Sequence, residues 1–179
     1  GLINWSKKNN KLFVVSFNRE ADIREQLTCR EGEEFNVIWT YNEFAFRHYA
    51  ASDDYILLKD DKGKLVALDT SGQELWRLSP IDTGLFSSQS EIDNLPETSP
   101  GFGHLNQTLH FPMIYQNRIG VVPMLDHYLI GIDLATGKVL WTRRVENSLS
   151  SLRQGYCDEV YCLGNYYLEA FSMETGEQT

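Results

Sequence analysis

The sequence predicts an all-β protein made of repeated four-stranded antiparallel sheets, and three observations carry that prediction. Short apolar runs alternate with turn residues along most of the chain, as in "DDYILLKDDKGKLVALDTSGQELWRL" from Asp53 to Leu78. A strand-turn-strand phrase closing on tryptophan, "GIDLATGKVLW" at 131–141, has one relative in "ALDTSGQELW" at 67–76 and another in "AFSMETGEQT" at 170–179. Nine phenylalanines, nine tyrosines and four tryptophans stand against three methionines, and large flat side chains suit sheet faces better than a helical bundle.

The elements follow in order. The first unit, 1–40, reads "LINWS", then "KLFVVSF" (11–17), "DIREQLTC" (22–29) and, after the turn Arg30-Glu31-Gly32, "EEFNVIW" (33–39). Within it "IREQL" reads equally well as a helical turn. The second unit, 43–78, opens with "FAFRHYA", where apolar and polar residues alternate at period two. It continues with strands at Tyr55–Lys59, Lys64–Asp69 and Glu74–Leu78 around the turn Asp60-Asp61-Lys62-Gly63. The third, 109–145, repeats the order as "LHFPMIY", "RIGVVPM", "HYLIGID" and "KVLWTRRV". Pro112 and Pro123 are its weak points, because proline donates nothing to a ladder and belongs at edges or strand ends. The fourth, 149–179, runs "SLRQGYC", "EVYCLG", "NYYLEAFS" and "ETGEQT" and lacks the closing tryptophan strand.

Spacing supports the repeat. Trp39 and Trp76 lie 37 apart, Gly137 and Gly176 lie 39 apart, and the 65 between Trp76 and Trp141 exceeds that period by one insertion. The insertion is residues 79–107, rich in Ser, Pro, Gly, Asp and Asn, and a loop of that length is usually functional or disordered. In the first unit Trp39 takes the place of Trp76 and Trp141, whereas Trp5 belongs to a first strand.

These residues carry a family likeness. Ala or Gly, x, Asp, x, x, Thr, Gly, Lys, x, x, Trp resembles the tryptophan-docking repeat of the PQQ-like β-propellers, which include quinoprotein dehydrogenases and outer-membrane assembly lipoproteins. Gly131, Asp133, Thr136, Gly137, Lys138 and Trp141 match it position for position. Ala67, Asp69, Gly72 and Trp76 match in the second unit, with Gln73 in place of lysine and a turn one residue shorter. Ala170, Thr175 and Gly176 match in the last, where Ser172 replaces the aspartate. The resemblance implies a β-propeller, or a propeller segment, of about four four-stranded blades with the last incomplete. It also implies structural roles: Asp accepts turn amides, Gly supplies positive φ, and Trp staples one blade to the next.

Composition excludes several functions. A net charge of −9 and a pI near 4.9 repel phosphate backbones and anionic membranes, which argues against nucleic acid; the same field would attract a basic protein partner, and such an acidic balance is also an ordinary device for solubility. No run of eighteen apolar residues exists to span a membrane. The three cysteines, Cys29, Cys157 and Cys162, cannot all pair within one chain, which points to a reducing, cytoplasmic compartment, while the resemblance allows a periplasmic or secreted one. The start at Gly1 suggests a processed or trimmed end.

Catalytic patterns do not emerge. The quinoprotein pattern of a vicinal cysteine pair and calcium-binding carboxylates finds no match, so no cofactor, metal or catalytic residue is assigned. Asp53-Asp54 and Asp60-Asp61 read as turn chemistry rather than a calcium loop. His48, His104, His110 and His127 are scattered without metal-ligand spacing. Phosphate loops and nucleophile elbows are absent from the sequence. The expectation is a non-catalytic protein-binding propeller: a scaffold, assembly factor or immunity-type inhibitor. Its partner would be another protein, held by the insertion through Leu85, Phe86 and Phe102. The alternatives are a fragment of a longer quinoprotein-like enzyme, or a sensor ectodomain that self-associates through open sheet edges.

Overall fold

The computed structural model describes residues 3–6, 10–17, 25–32, 34–46, 48–60, 62–93, 111–124, 128–145, 151–154, 158–163 and 168–179. The all-β expectation holds. The first sheet consists of β1 (Ile3–Ser6), β2 (Lys11–Phe17), β3 (Glu25–Glu31) and β4 (Asn36–Tyr41). The second holds β5 (His48–Ala51), β6 (Tyr55–Lys59), β7 (Leu65–Asp69) and β8 (Glu74–Leu78). A short helix, α1 (Gln89–Asp93), precedes the third sheet of β9 (Met113–Tyr115), β10 (Ile119–Met124), β11 (Tyr128–Asp133) and β12 (Val139–Arg144). The fourth has β13 (Ser151–Gln154), β14 (Glu159–Leu163) and β15 (Leu168–Ser172), extended by a single bridge from Phe171 to Gln178. Every pairing is antiparallel between consecutive strands, the meander that short hairpin connections dictate.

Burial shows how the sheets stack as blades. In β6, Ile56 to Lys59 are all buried, and so are Leu65 to Leu68 in β7, because the second sheet has a neighbour on each face. One face of it meets Phe13, Leu27, Cys29 and Phe46; the other meets Val122, Met124, Ile130 and Ile132. The third and fourth sheets close a further core around Val121, Leu129, Trp141, Val160 and Phe171. Burial of each such Leu, Ile or Phe is worth about 1.5–3 kcal/mol, so the seams between sheets supply much of the favourable energy. Among the β2 side chains described, Phe13 and Val15 are buried, whereas Leu12 and Val14 between them are half-buried.

The register also explains Pro123. β10 pairs with β9 only from Ile119 to Val121, so Pro123, opposite Leu129, lies where β10 has outrun its neighbour and its missing N–H leaves no ladder bond unmade. The strand expected at 22–29 is seen from Glu25 onward, as strand and not helix, while residues 18–24 lie outside the described part. The strand expected over 109–115 is narrower: only Met113–Tyr115 is paired, and 109–110 are also outside it.

Strand direction sorts the loops between two ends of the stack. The turn between Lys59 and Leu65 and the start of the insertion after Leu78 sit at the end marked by the pairs His48–Lys59 and Leu65–Leu78. The turns at 70–73 and 134–138 sit at the opposite end.

Candidate functional site

The aspartates of the repeat are occupied by their own turns. Asp69 Oδ1 accepts the Ser71 amide (2.8 Å), the Gln73 amide (3.0 Å) and the Ser71 hydroxyl (2.6 Å). Burial, the largest single influence, pushes its carboxyl upward, yet these donors together outweigh it and hold the group below the usual carboxylate range. Asp133 Oδ1 accepts the Thr136 amide (2.9 Å) and hydroxyl (2.8 Å), and Thr136 Oγ1 accepts the Lys138 amide at 3.3 Å. At Ser172 the side-chain oxygen accepts the Thr175 amide at 3.2 Å, the same turn built with a hydroxyl. Asp60 follows the same local logic, accepting the Lys62 and Lys64 amides at 2.9 and 2.7 Å.

The turns after Asp69, Asp133 and Ser172 each place a left-handed glycine under the tryptophan of the preceding sheet. Gly72 has φ 86°, and a Cβ there would lie 2.6 Å from the Trp39 ring. Gly137, with φ 73°, receives Trp76; Gly176, with φ 67°, receives Trp141. The Trp39 indole N–H donates to the Thr70 carbonyl at 3.1 Å, which also accepts Lys11 Nζ at 2.9 Å. Trp76 donates to the Leu134 carbonyl at 2.7 Å. The Trp39 and Trp76 staples therefore combine close packing with a hydrogen bond across the seam.

A model of the family described as outer membrane protein assembly factor BamB matches residues 31–178. The chain belongs to that family. No curated protein sequence matches it significantly. Among solved structures it is similar to BamB from Moraxella catarrhalis, with TM-score 0.65 and 15% identity over 98% of this chain and 47% of that one. The quinohemoprotein alcohol dehydrogenase from Comamonas testosteroni follows with TM-score 0.59 and 13% identity, over 95% of this chain and 33% of that one. The Pan2 WD40 domain from Neurospora crassa has TM-score 0.59 and 10% identity, over 99% and 47%. At these identities the likeness is one of fold, that of a β-propeller, and the chain spans less than half the length of each of the three.

The family motif has one variation here with a visible cause. In each of the first three sheets the tryptophan faces a small residue across the ladder, with a bulge beside it: Cys29 faces Trp39, Ala67 faces Trp76, and Gly131 faces Trp141. At Gly131 a Cβ would overlap Trp141 Nε1 and Cε2, so the indole lies directly on the strand. Trp141 is 8% exposed, and its N–H has no acceptor among the described residues. The missing Cβ thus lets the ring sink at the expense of the hydrogen bond that Trp39 and Trp76 keep. On the same seam, Arg143 Nε donates to the Gly176 carbonyl. Arg143, Arg144, Glu169, Phe171, Glu177 and Gln178 line an open cavity of about 420 Å³ beside it.

A second clasp ties the first sheet to the second. Tyr41 donates to Glu74 Oε2 at 3.0 Å, and Arg77 holds both oxygens of Glu74, at 3.1 and 2.7 Å, while lying 5.7 Å over the Phe44 ring. Arg77, then Tyr41, holds the Glu74 carboxyl below its usual range, while burial, followed by the bond to Glu74, pushes the Tyr41 phenol up.

The insertion begins anchored. Asp82 accepts the Ser79 amide and hydroxyl, both at 2.7 Å, and Thr83 donates to the Pro80 carbonyl at 2.6 Å. Phe86, expected as a partner contact, is 6% exposed and meets Tyr128 edge-on at 6.0 Å, with Leu85 half-buried in the same core. Where it sits, Phe86 anchors the insertion on the third sheet. Phe102, His104 and His110 lie outside the described residues, as do His127 and Cys157. His48 is buried edge-on against Phe111. Cys29 and Cys162 are buried free thiols in separate cores. No three His, Cys, Asp or Glu side chains among the described residues are placed to hold a metal ion. No helix there is long and apolar enough to cross a membrane.

Sequence reasoning missed Phe35. It stands four residues before Trp39, as Gly72 and Gly137 stand before Trp76 and Trp141, and it shares their left-handed backbone with φ 52°. Counting back from each tryptophan would have found it.

Proposed function

We propose that the chain is a non-catalytic, protein-binding propeller module whose partner is a basic protein. The observation that supports this reading most is the use made of the repeat's polar residues. Asp69, Asp133 and Thr136 are engaged in turns, and Trp39 and Trp76 are spent on the seams, so the residues that look chemical in the sequence are holding sheets together. What the scaffold offers outward is surface, with a net charge of −9 that steers basic partners toward it. We extend the proposal to the whole chain as one propeller segment, blades 1–40, 43–78, 109–145 and 149–179, with 79–107 as an insertion that faces the partner.

The test is capture of crosslinked partners by the chain in its native cell, followed by salt titration of the purified complex. Recovery of a basic protein whose affinity falls steeply with salt supports the reading; a partner without basic character, or affinity indifferent to salt, overturns it. A second reading is favoured by the fold likeness to quinoprotein dehydrogenases, in which this chain forms part of a quinone-dependent enzyme. Saturable binding of pyrroloquinoline quinone with calcium to the natively expressed protein would favour that reading instead.

A further inference from the structure

The first sheet breaks the docking rule of the other three. A Cβ at Gly72 or Gly137 would come within 2.6 or 2.9 Å of the docked indole, so Phe35, in the equivalent place, bars a tryptophan from the same seat. Its ring is held outward, 48% exposed, beside Val37 at 52% and Ile38 at 46%. Among the described residues β4 pairs with β3 alone, so its far edge presents open backbone groups next to three exposed apolar side chains. Exposed Glu31 and Glu34 flank this patch. The neighbouring cation is engaged, since Arg30 Nη1 donates to the Phe35 carbonyl at 3.1 Å. A phenylalanine kept in left-handed backbone is strained, and strain of this kind gathers where a side chain must be displayed.

We propose that the edge of β4 at Asn36–Ile38, beside the displayed Phe35 ring, is a docking strand for an extended basic segment of the partner, which joins the first sheet as an added strand; this rests on the protein-binding reading above. An extended occupant satisfies the open backbone, covers Val37 and Ile38 with its apolar side chains, and brings its cations to Glu31 and Glu34. A second copy of this acidic chain would bring like charge to the same place. A further tryptophan-docking sheet would meet Phe35 where it needs glycine.

The probe is a synthetic nonapeptide alternating valine with lysine, titrated into the full chain and followed by peptide anisotropy and by amide hydrogen exchange. The expected result is salt-sensitive binding with slowed exchange confined to Asn36–Tyr41. V37K weakens it about tenfold or more by placing a like charge on the edge, with the thermal midpoint unchanged. F35G weakens it comparably while raising Tm by about 2 °C, because glycine relieves the left-handed strain. Absence of binding, protection on a strand other than β4, or unchanged affinity in V37K overturns the proposal. A native basic partner that V37K captures as well as the parent chain does sinks this docking strand alone and leaves the protein-binding reading standing.

Discussion

Replacing Gly137 with alanine puts a backbone penalty and a packing penalty on one atom. At φ 73° the new residue must hold a left-handed conformation, which costs an L-residue about 1–2 kcal/mol. The added Cβ would stand 2.9 Å from Trp76 Cγ and Cδ2 and 3.4 Å from its Cβ, and overpacking of this kind adds about 1–3 kcal/mol. The middle of the combined range is about 3.5 kcal/mol, or roughly 7–14 °C in Tm for a chain of this size. Gly32 is the control, because its φ is 77° but nothing lies within 4 Å of a Cβ there. Gly32→Ala therefore carries only the backbone penalty. Urea unfolding followed by tryptophan fluorescence and far-ultraviolet circular dichroism measures both variants at constant m-value. The docking account requires Gly137→Ala to exceed Gly32→Ala by about 2 kcal/mol, and requires most of that excess to vanish in a Trp76→Ala background. Equal losses at the two glycines would refute the claim that the indole seat is what selects glycine.

Further consequences follow from the same seams. Gly131→Ala drives the Trp141 ring off its strand, so stability should fall by about 1–3 kcal/mol with a shift in Trp141 emission, checked against a variant with Trp141 as its reporter tryptophan. Burial pushes the Cys162 thiol up to about 12, with Glu169 adding to it, and also raises Cys29; iodoacetamide at pH 8 should leave both unmodified in the folded chain and alkylate both in urea, as read by mass spectrometry. Asp69 and Glu74 are held below their ordinary values, so the stability they supply is complete above about pH 5 and is lost as pH falls through the lowered folded values. Asp69→Asn should flatten the acid limb of a stability-against-pH curve, and an unchanged limb would count against the carboxylate's role.

Much of the fold was legible because its signals are local. The phrase "GIDLATGKVLW" contains the strand, the aspartate that caps the turn, the left-handed glycine and the tryptophan within eleven residues, and each follows from chemistry acting over a few bonds. Pro123 was harder, since its tolerance depends on how far β9 runs beside β10, a fact about a different strand. Phe86 reads as an exposed loop aromatic until Tyr128, from another sheet, is seen beneath it. Phe35 was hidden for a third reason. The bulge at Cys29 and Arg30 puts it in register with Gly137, and apolar periodicity says nothing about the sign of φ. Local turn chemistry is written in the sequence, whereas which surface stacks on which must be read from the assembled sheets.

The account stands on tryptophans that lock one sheet to the next, and hydrogen exchange of the indole N–H protons, read in one nuclear magnetic resonance series, tests it most directly. Trp39 and Trp76, bonded to the Thr70 and Leu134 carbonyls across their seams, should exchange only with global unfolding, and Gly137→Ala should release Trp76 while leaving Trp39 protected. Rapid exchange of both indoles in the folded chain, or release of both by that one substitution, would contradict the docked-sheet account.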